Sequence, residues 1–288
     1  MMRERRSRQL PVRLAPFTDE LLSSWLWRHA TFYAVPPLVM LQHCLPEVAS
    51  LRAADLDLSA VQASRLANAL SIEPGAVRAM TFATVNGPSR RLIGVKPLQS
   101  CVRCGPAFSD CRPILRSQLL GWRVTCPSCG ELLNDPDGVE VASPFLKYRQ
   151  AALHGERLLE AEAERGKWSW ASPVDIARLL LMRRVPKPPP DEGEFWRFRV
   201  LGAIIPEFDA LVAAKPASLP TSGTPILPLY LRPALLAGVA IVDRAGPGML
   251  PMLQNHTIGG NRARFGELAE KAMGHARKPR PFLQWQLI

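Results

Sequence analysis

The stretch CVRCGPAFSDCRPILRSQLLGWRVTCPSCGELL, residues 101–133, holds five of the six cysteines of this 288-residue chain. Four of them form two Cys-x-x-Cys pairs, Cys101 with Cys104 and Cys126 with Cys129. Two residues between paired cysteines allow one tight turn to direct both sulfurs to the same point, and two such turns supply the four ligands of a closed tetrahedral site. The spacing predicts a zinc ribbon with a short β-hairpin and one structural Zn²⁺ ion per chain.

Other uses of the cysteines fit the spacing less well. A thioredoxin-like redox site needs a single Cys-x-x-Cys pair at a strand-to-helix junction, and disulfides need an oxidising compartment. The glycines after the pairs, Gly105 and Gly130, are expected to permit the chain reversal at each turn. Cys44 and the neighbouring His43 are expected in a helical core. Cys111 is interpreted as an incidental loop cysteine rather than a spare ligand.

Charge favours a polyanionic partner. The net charge is +11, and between residues 90 and 123 the only acidic residue is Asp110. A basic total also occurs in proteins that bind no nucleic acid, so the clustering is the stronger observation. The N-terminal residues lack the apolar core of a signal peptide, and the apolar run at 235–242 is too short to span a bilayer. We therefore expect a cytoplasmic protein with no membrane partner and a buried helix at 235–242.

A helix-turn-helix pattern covers residues 58–82. Ser59 is a candidate N-cap, and Pro74 suits the first turn of a second helix that would enter the DNA major groove. An ordinary helical hairpin explains the same pattern, and both interpretations stay open. The candidate nucleic-acid-binding residues are Arg65, Ser71, Arg78, Arg90, Arg91, Arg103, Arg112, Arg116 and Arg123.

The rest of the chain is predicted to be mainly α. Thr18 is a candidate N-cap for a first helix, in which Trp25 and Trp27 are both expected in the core. Trp122 is also expected in the core. The predicted organisation is a helical N-terminal region with the helix-turn-helix-like segment (1–90), the zinc ribbon (91–140), connecting helices (141–185) and a helical C-terminal domain (186–288). The last boundary follows from the proline-rich segment 183–195.

No catalytic pattern is found in the sequence. There is no glycine-rich phosphate loop, no nucleophile elbow and no His-Glu-x-x-His. None of the five histidines has a recognisable ligand or base partner. The protein is therefore expected not to be an enzyme.

Three segments resemble the TniQ family, the target-selection proteins of bacterial transposons related to TnsD. They are LPVRLAPFTDELLSSWLWRHA (10–30) with its block from Glu20 to Arg28, DLDLSAVQASRLANALSIEPGAVRAMTF (55–82), and the cysteine pairs. A helical stretch at 230–253 is similar more loosely. The resemblance implies an all-helical protein with an embedded zinc ribbon, in which Cys101, Cys104, Cys126 and Cys129 bind the metal. This chain has Cys129 where members often have His, and it lacks the second ribbon of some members.

The resemblance implies an adaptor in target-site selection for DNA transposition. Its partners would be DNA, or an RNA-guided complex bound to DNA, together with the transposition ATPase and transposase, and a homodimer stays open. Two other functions also stay open, a zinc-ribbon scaffold for protein interactions and a helix-turn-helix transcriptional regulator.

Overall fold

The structure is a computed structural model that describes residues 10–105, 112–135, 145–185, 198–214, 221–223 and 225–277. The prediction of a mainly α protein is confirmed. The helices are α1 (Leu22–Phe32), α2 (Pro37–Cys44), α3 (Leu51–Asp57), α4 (Ala60–Leu70), α5 (Pro74–Ala79), α6 (Arg149–Arg165), α7 (Pro173–Leu180), α8 (Leu201–Ile204), α9 (Pro206–Ala214), α10 (Arg232–Ala245), α11 (Met249–Gln254) and α12 (Gly260–Arg277). Short 3-10 turns lie at Ser89–Leu92, Arg116–Leu119 and Leu146–Tyr148.

The chain divides into two compact units. The first comprises residues 1–85 and 93–140, and the second comprises residues 86–92 and 141–288. The N-terminal helices and the cysteine pairs therefore belong to one unit. Helices on both sides of the proline-rich segment belong to the other. The predicted boundary at 186 stays a prediction, because residues 186–197 lie outside the described part of the chain.

Helices α1 to α5 enclose the core of the first unit. Trp25 and Leu26 of α1 are fully buried with Leu41 of α2 and Leu66 and Leu70 of α4. These positions follow the helical spacing of apolar residues that the sequence shows. Trp27 does not join them, since 55% of it is exposed, and the prediction that it lies in the core is wrong. It follows Trp25 by two positions and so points to another face of the helix.

The start of α1 differs from the prediction. The helix begins at Leu22, and Thr18 does not cap it. Asp19 adopts a left-handed backbone conformation, φ 62°, which a continuous helix does not allow. Its carboxylate accepts the Ser117 N–H at 3.0 Å and its carbonyl accepts the Arg116 N–H at 2.7 Å. Asp19 therefore accepts hydrogen bonds from the 3-10 turn, 98 residues further along the chain, instead of forming part of α1.

The helix-turn-helix segment consists of α4, a three-residue turn at 71–73 and α5. Ser59 caps α4 as predicted, and Gln62 completes a capping box with it. Ser71 ends the helix in a left-handed conformation, φ 50°, a position that glycine usually occupies. The second helix is shorter than predicted, because it ends at Ala79 instead of Phe82.

The predicted β-hairpin of the ribbon is not present as strands in the described residues. Its place is taken by two isolated antiparallel bridges, Thr125 with Leu132 and Ser100 with Asn134. The second bridge has two N–H···O bonds of 2.8 Å between Ser100 and Asn134. Pairing of this length is too short to form a regular ladder. The described residues therefore contain two bridged loops in place of the predicted hairpin.

Helix α10 lies at the centre of the second unit. Its residues Leu235, Leu236, Val239 and Val242 are buried, which agrees with the predicted buried helix at 235–242. Gly155 of α6 lies so close to α10 that an added Cβ would be 2.0 Å from the Leu236 carbonyl oxygen. Only glycine permits this approach of the two backbones. Among the described residues, no helix combines the length and apolarity needed to cross a membrane.

Candidate metal centre

Each Cys-x-x-Cys pair forms the same tight turn. The N–H of Gly105 donates to the Cys101 carbonyl at 2.7 Å, and the N–H of Gly130 donates to the Cys126 carbonyl at 2.9 Å. Gly130 adopts φ 76°, where a glycine is favoured, as predicted. Gly105 does not have a left-handed φ, so its predicted role in the chain reversal is wrong. The first turn closes without a left-handed residue at that position.

The two turns bring the four sulfurs together. All four Sγ atoms lie within 4.8 Å of one another. The Sγ of Cys101 is 3.5 Å from that of Cys129, and the Sγ of Cys104 is 3.8 Å from that of Cys126. Metal–sulfur bonds of about 2.3 Å in a tetrahedron put the sulfurs about 3.8 Å apart. The arrangement is compatible with a metal ion bound by all four cysteines.

The same distances argue against disulfides. A disulfide requires sulfurs about 2.05 Å apart. The cysteines of the cluster and Cys44 are all free thiols. Cys44 is half-buried and packs against the core of the first unit, whereas His43 is exposed, so the predicted place of His43 in the core is wrong. Cys111 lies outside the described residues, and its interpretation as a loop cysteine stays a prediction.

Three of the four thiols have pKa values that their surroundings shift. The hydrogen bond with Cys129 and burial raise the pKa of Cys104 to about 12. Burial also raises the pKa of Cys101. By contrast, the backbone N–H of Glu131 lowers the pKa of Cys129. A bound divalent cation favours the thiolate at every ligand, because its charge outweighs these local effects.

The segment between the cysteine pairs is joined to the start of α1. The Ile114 N–H donates to the Ser24 hydroxyl at 2.9 Å, and the Leu21 N–H donates to the Ile114 carbonyl at 2.9 Å. The buried Gln99 amide donates to the carbonyls of Ser117 and Leu120 at 2.6 and 2.9 Å. Trp122 is buried, as predicted. The cysteine module and the first helix therefore share hydrogen bonds within one compact unit.

A buried ion pair stabilises the loop before α1. The Glu20 side chain is 0% exposed, and its two oxygens accept from Nε and Nη2 of Arg28 at 2.8 and 2.6 Å. The Phe17 N–H and the Ser24 hydroxyl also donate to this carboxylate. Arg28 lies 4.4 Å above the Phe17 ring and donates to the Ala15 carbonyl. The block from Glu20 to Arg28 thus has a structural role that its sequence pattern did not reveal.

The predicted nucleic-acid-binding residues are divided between the two compact units. Arg90 and Arg91 belong to the second unit, and the other seven belong to the first. Four of the nine are exposed, and these are Arg65, Arg91, Arg103 and Arg112. The remaining five are half-buried, and these are Ser71, Arg78, Arg90, Arg116 and Arg123. Their role in nucleic-acid binding stays a prediction.

Several of these arginines have protein partners. Arg65 pairs with Glu47 at 2.9 Å and Arg103 with Glu131 at 3.4 Å. Arg116 lies 5.1 Å above the Phe82 ring, with Asp19 at 4.0 Å. The helix α5 presents few groups that could read a base, since its exposed positions include Gly75 and Ala79. The Nε atom of Arg78 is itself buried.

A buried carboxylate near the start of α1 had no signal in the sequence. Asp55 of α3 accepts the Ser23 N–H at 2.9 Å. Burial raises the pKa of Asp55 to about 6, although the Ser23 hydrogen bonds and Arg52 act in the opposite direction. A pKa that is higher in the folded state means that the protonated carboxyl is the more stable form inside the protein.

We expect this group to make stability depend on pH. A folded-state pKa raised from 3.8 to about 6 stabilises the protein below the unfolded value, and this stabilisation is lost as the pH rises through 6. Relative to Asp55→Asn, the wild-type free energy of unfolding should fall by up to about 3 kcal/mol between about pH 4 and pH 7. Urea unfolding of both proteins across this range measures it, and parallel pH profiles would contradict it.

The fold and the site define a mainly helical protein that contains a four-cysteine candidate metal site. Residues 11–138 match the model of the TniQ family, which supports the resemblance seen in the sequence. The match includes both cysteine pairs and α1 to α5, and the family suggests a role in transposition. The family consists of transposition accessory and targeting proteins and is not a known class of enzymes. No curated protein and no solved structure matched the chain.

Proposed function

We propose that the protein is a zinc-containing accessory factor of DNA transposition that acts in target-site selection. It would connect target DNA, or an RNA-guided complex bound to DNA, with the transposition ATPase and transposase in the cytoplasm. The observation that supports this most is the TniQ match, which covers the segment that also holds the four-cysteine cluster. The family match suggests the process, and a metal bound at the cluster would hold the segment together.

Zn²⁺ is the metal proposed for the cluster. Thiolates are soft ligands that select zinc or iron–sulfur chemistry among common biological metals, and a closed set of four cysteines is typical of structural zinc. The residues that would hold it are Cys101, Cys104, Cys126 and Cys129. Bound there, the ion would supply folding energy and no reaction step.

The surface favours an adaptor over a reader of base sequence. Base readout requires polar side chains on a helix that enters the major groove. Here α5 has only six residues, and its one arginine, Arg78, is half-buried. The exposed Arg103 and Arg112 suit phosphate contacts, which position a protein on DNA but carry no sequence information directly. Specificity would then come from a protein or RNA-guided partner.

Two binding measurements test this proposal. We expect the chain to bind unrelated DNA duplexes with similar affinity, with log affinity falling linearly with log salt by about 0.9 for each phosphate contacted. We also expect it to form a complex with the ATPase of the same transposon. Arg103→Ala should weaken DNA binding and leave the ATPase complex intact. Arg157→Ala, an exposed arginine of α6, is the control.

The outcomes separate the alternatives. A strong preference for one DNA sequence that is lost in Arg78→Ala would instead support a helix-turn-helix regulator. A stable ATPase complex without measurable DNA affinity would support a protein-interaction scaffold. Failure to bind either DNA or the ATPase would refute the adaptor.

A further inference from the structure

The first unit contains a cleft of about 500 Å³ beside the exposed Trp27. One wall is formed by α1, with Leu21 and Trp27, and another by α3, with Leu51 and Arg52. The remaining wall comes from residues 95–97 and 112–119 and includes Val95, Arg112 and Ile114. The cleft therefore combines helices of the N-terminal region with the segment around the first cysteine pair.

The cleft exposes unusually large apolar side chains. Val95 is 87% exposed, Trp27 is 55% exposed and Ile114 is 36% exposed. Single exposed apolar residues are common, but three around one concave surface are typical of a binding site for a protein segment. Tryptophan in particular is enriched among residues that dominate binding energy. The shape and the lining suit bulky apolar side chains as ligands.

The charges at the cleft suit an acidic ligand. Arg112 is exposed at the cleft and makes no ion pair with the residues that the structure describes. Arg52 lies deeper, and its guanidinium donates to the Ile93 carbonyl at 3.4 Å. The one acid in the lining, Asp55, is buried and accepts from the Ser23 N–H. Thus Arg112 is the charge that an incoming ligand meets first.

We propose that this cleft binds a short amphipathic segment of a partner protein, with bulky apolar side chains against Trp27, Val95 and Ile114 and an acidic side chain paired with Arg112. The inference rests on the adaptor function, which requires a surface for a protein partner, and it deepens that function by placing the surface and naming its chemistry. A helix or extended peptide that inserts apolar anchors into a groove is a common mode of recognition.

A nucleic acid fits the cleft less well. Single-stranded nucleic acids need a basic groove with several aromatic side chains on which successive bases stack. This cleft has one exposed aromatic residue, Trp27, and its other exposed apolar side chains are aliphatic. A peptide with bulky apolar anchors and a single acidic side chain suits this lining better.

Phage-displayed random peptides provide the probe. Peptides selected on the wild-type chain should share bulky apolar residues next to Asp or Glu. Synthetic copies, measured by fluorescence anisotropy, should bind Trp27→Ala and Arg112→Glu at least about tenfold more weakly. In Arg112→Glu, replacing the peptide acid with Lys should restore part of the affinity, because the charge pair is re-formed in reverse. This restoration does not arise if the variant is simply misfolded.

Matched controls separate the cleft from general surface effects. Phe32→Ala removes an exposed aromatic side chain of the same helix outside the cleft, and Arg91→Glu makes the same charge change in the second unit. Both should leave peptide affinity within about twofold of wild type, as expected for sites outside the contact. Equal losses in the controls and the cleft variants would overturn the proposal.

Two further results would also overturn it. One is a selection that yields basic peptides or none that depend on Trp27. The other is an oligo-dT strand that binds with higher affinity than the peptides and loses affinity in Trp27→Ala, which would identify a nucleic-acid site instead.

The assay uses neither duplex DNA nor the ATPase. If the chain binds the peptides but binds neither duplex DNA nor the ATPase, the proposed adaptor is refuted and the cleft is not. If it binds duplex DNA and the ATPase but none of the peptides, the cleft alone is refuted.

Discussion

Cys126→Ser should abolish stoichiometric zinc binding and unfold the first compact unit at neutral pH. Structural zinc contributes about 10–16 kcal/mol of apparent folding free energy in small metal-dependent modules, which is comparable to or larger than the 5–15 kcal/mol stability of a typical domain. The four sulfurs lie within 4.8 Å of one another, so the loss of one leaves three ligands and an open position. The same result is expected for serine at Cys101, Cys104 or Cys129.

The effect should extend beyond the cysteine turns. The segment between the pairs shares hydrogen bonds with the start of α1 through Ser24, Leu21 and Asp19. Release of the turns would remove these bonds and expose Trp122, which is buried. We therefore expect amide hydrogen exchange to rise in α1 as well as around the cysteines.

The measurements are the zinc content of protein purified in reducing buffer and thermal unfolding with and without a chelator. Cys44→Ser is the matched control, since Cys44 is a half-buried free thiol outside the cluster. It should keep one zinc per chain and lose about 1 kcal/mol or less, as is usual for a nearly isosteric change away from a cavity or ligand. Wild-type protein without zinc, or full zinc binding by Cys126→Ser, would refute the metal site.

Local patterns made the cysteine cluster predictable from the sequence. Each Cys-x-x-Cys pair specifies its own turn through short-range geometry, and the two turns need only a shared ion to be placed together. The cap of α4 was predictable for the same reason, because Ser59 and Gln62 form a capping box within one helical turn. The buried run of α10 was visible as continuous apolar character. None of these depends on distant residues.

The features that the sequence did not predict correctly depend on contacts between distant residues. The start of α1 is set by Asp19, whose carboxylate and carbonyl are used by Ser117 and Arg116. No pattern near Thr18 contains that information. Trp27 points to another face of α1 than Trp25, and whether that face is covered depends on which surfaces meet α1. The cleft likewise combines residues from α1, α3, 95–97 and 112–119, so no single stretch predicts it.

Arg28→Met should destabilise the first unit by about 3–5 kcal/mol, the usual cost when one partner of a buried ion pair is removed. Glu20 is fully buried, and Arg28 supplies two of the hydrogen bonds to its carboxylate. Without Arg28, the negative charge stays buried, and the donors that remain among the described residues are the Phe17 N–H and the Ser24 hydroxyl. Arg28→Lys should lower the stability of the first unit by a smaller amount than Arg28→Met. Some loss is still expected, because an ammonium cannot reproduce the bidentate geometry.

The double variant Glu20→Leu with Arg28→Met distinguishes the pair from simple loss of packing. If the penalty of Arg28→Met comes from an unpaired carboxylate, removal of that carboxylate should recover part of the stability. The control is Arg65→Met, which breaks an exposed pair with Glu47 and should change stability by less than about 1 kcal/mol. Urea unfolding, followed by far-UV circular dichroism at neutral pH, compares the four variants with the wild type. Equal losses for Arg28→Met and Arg65→Met would show that the buried pair does not stabilise the loop. A double variant no more stable than Arg28→Met would show that Arg28 acts mainly through its contacts with Phe17 and Ala15.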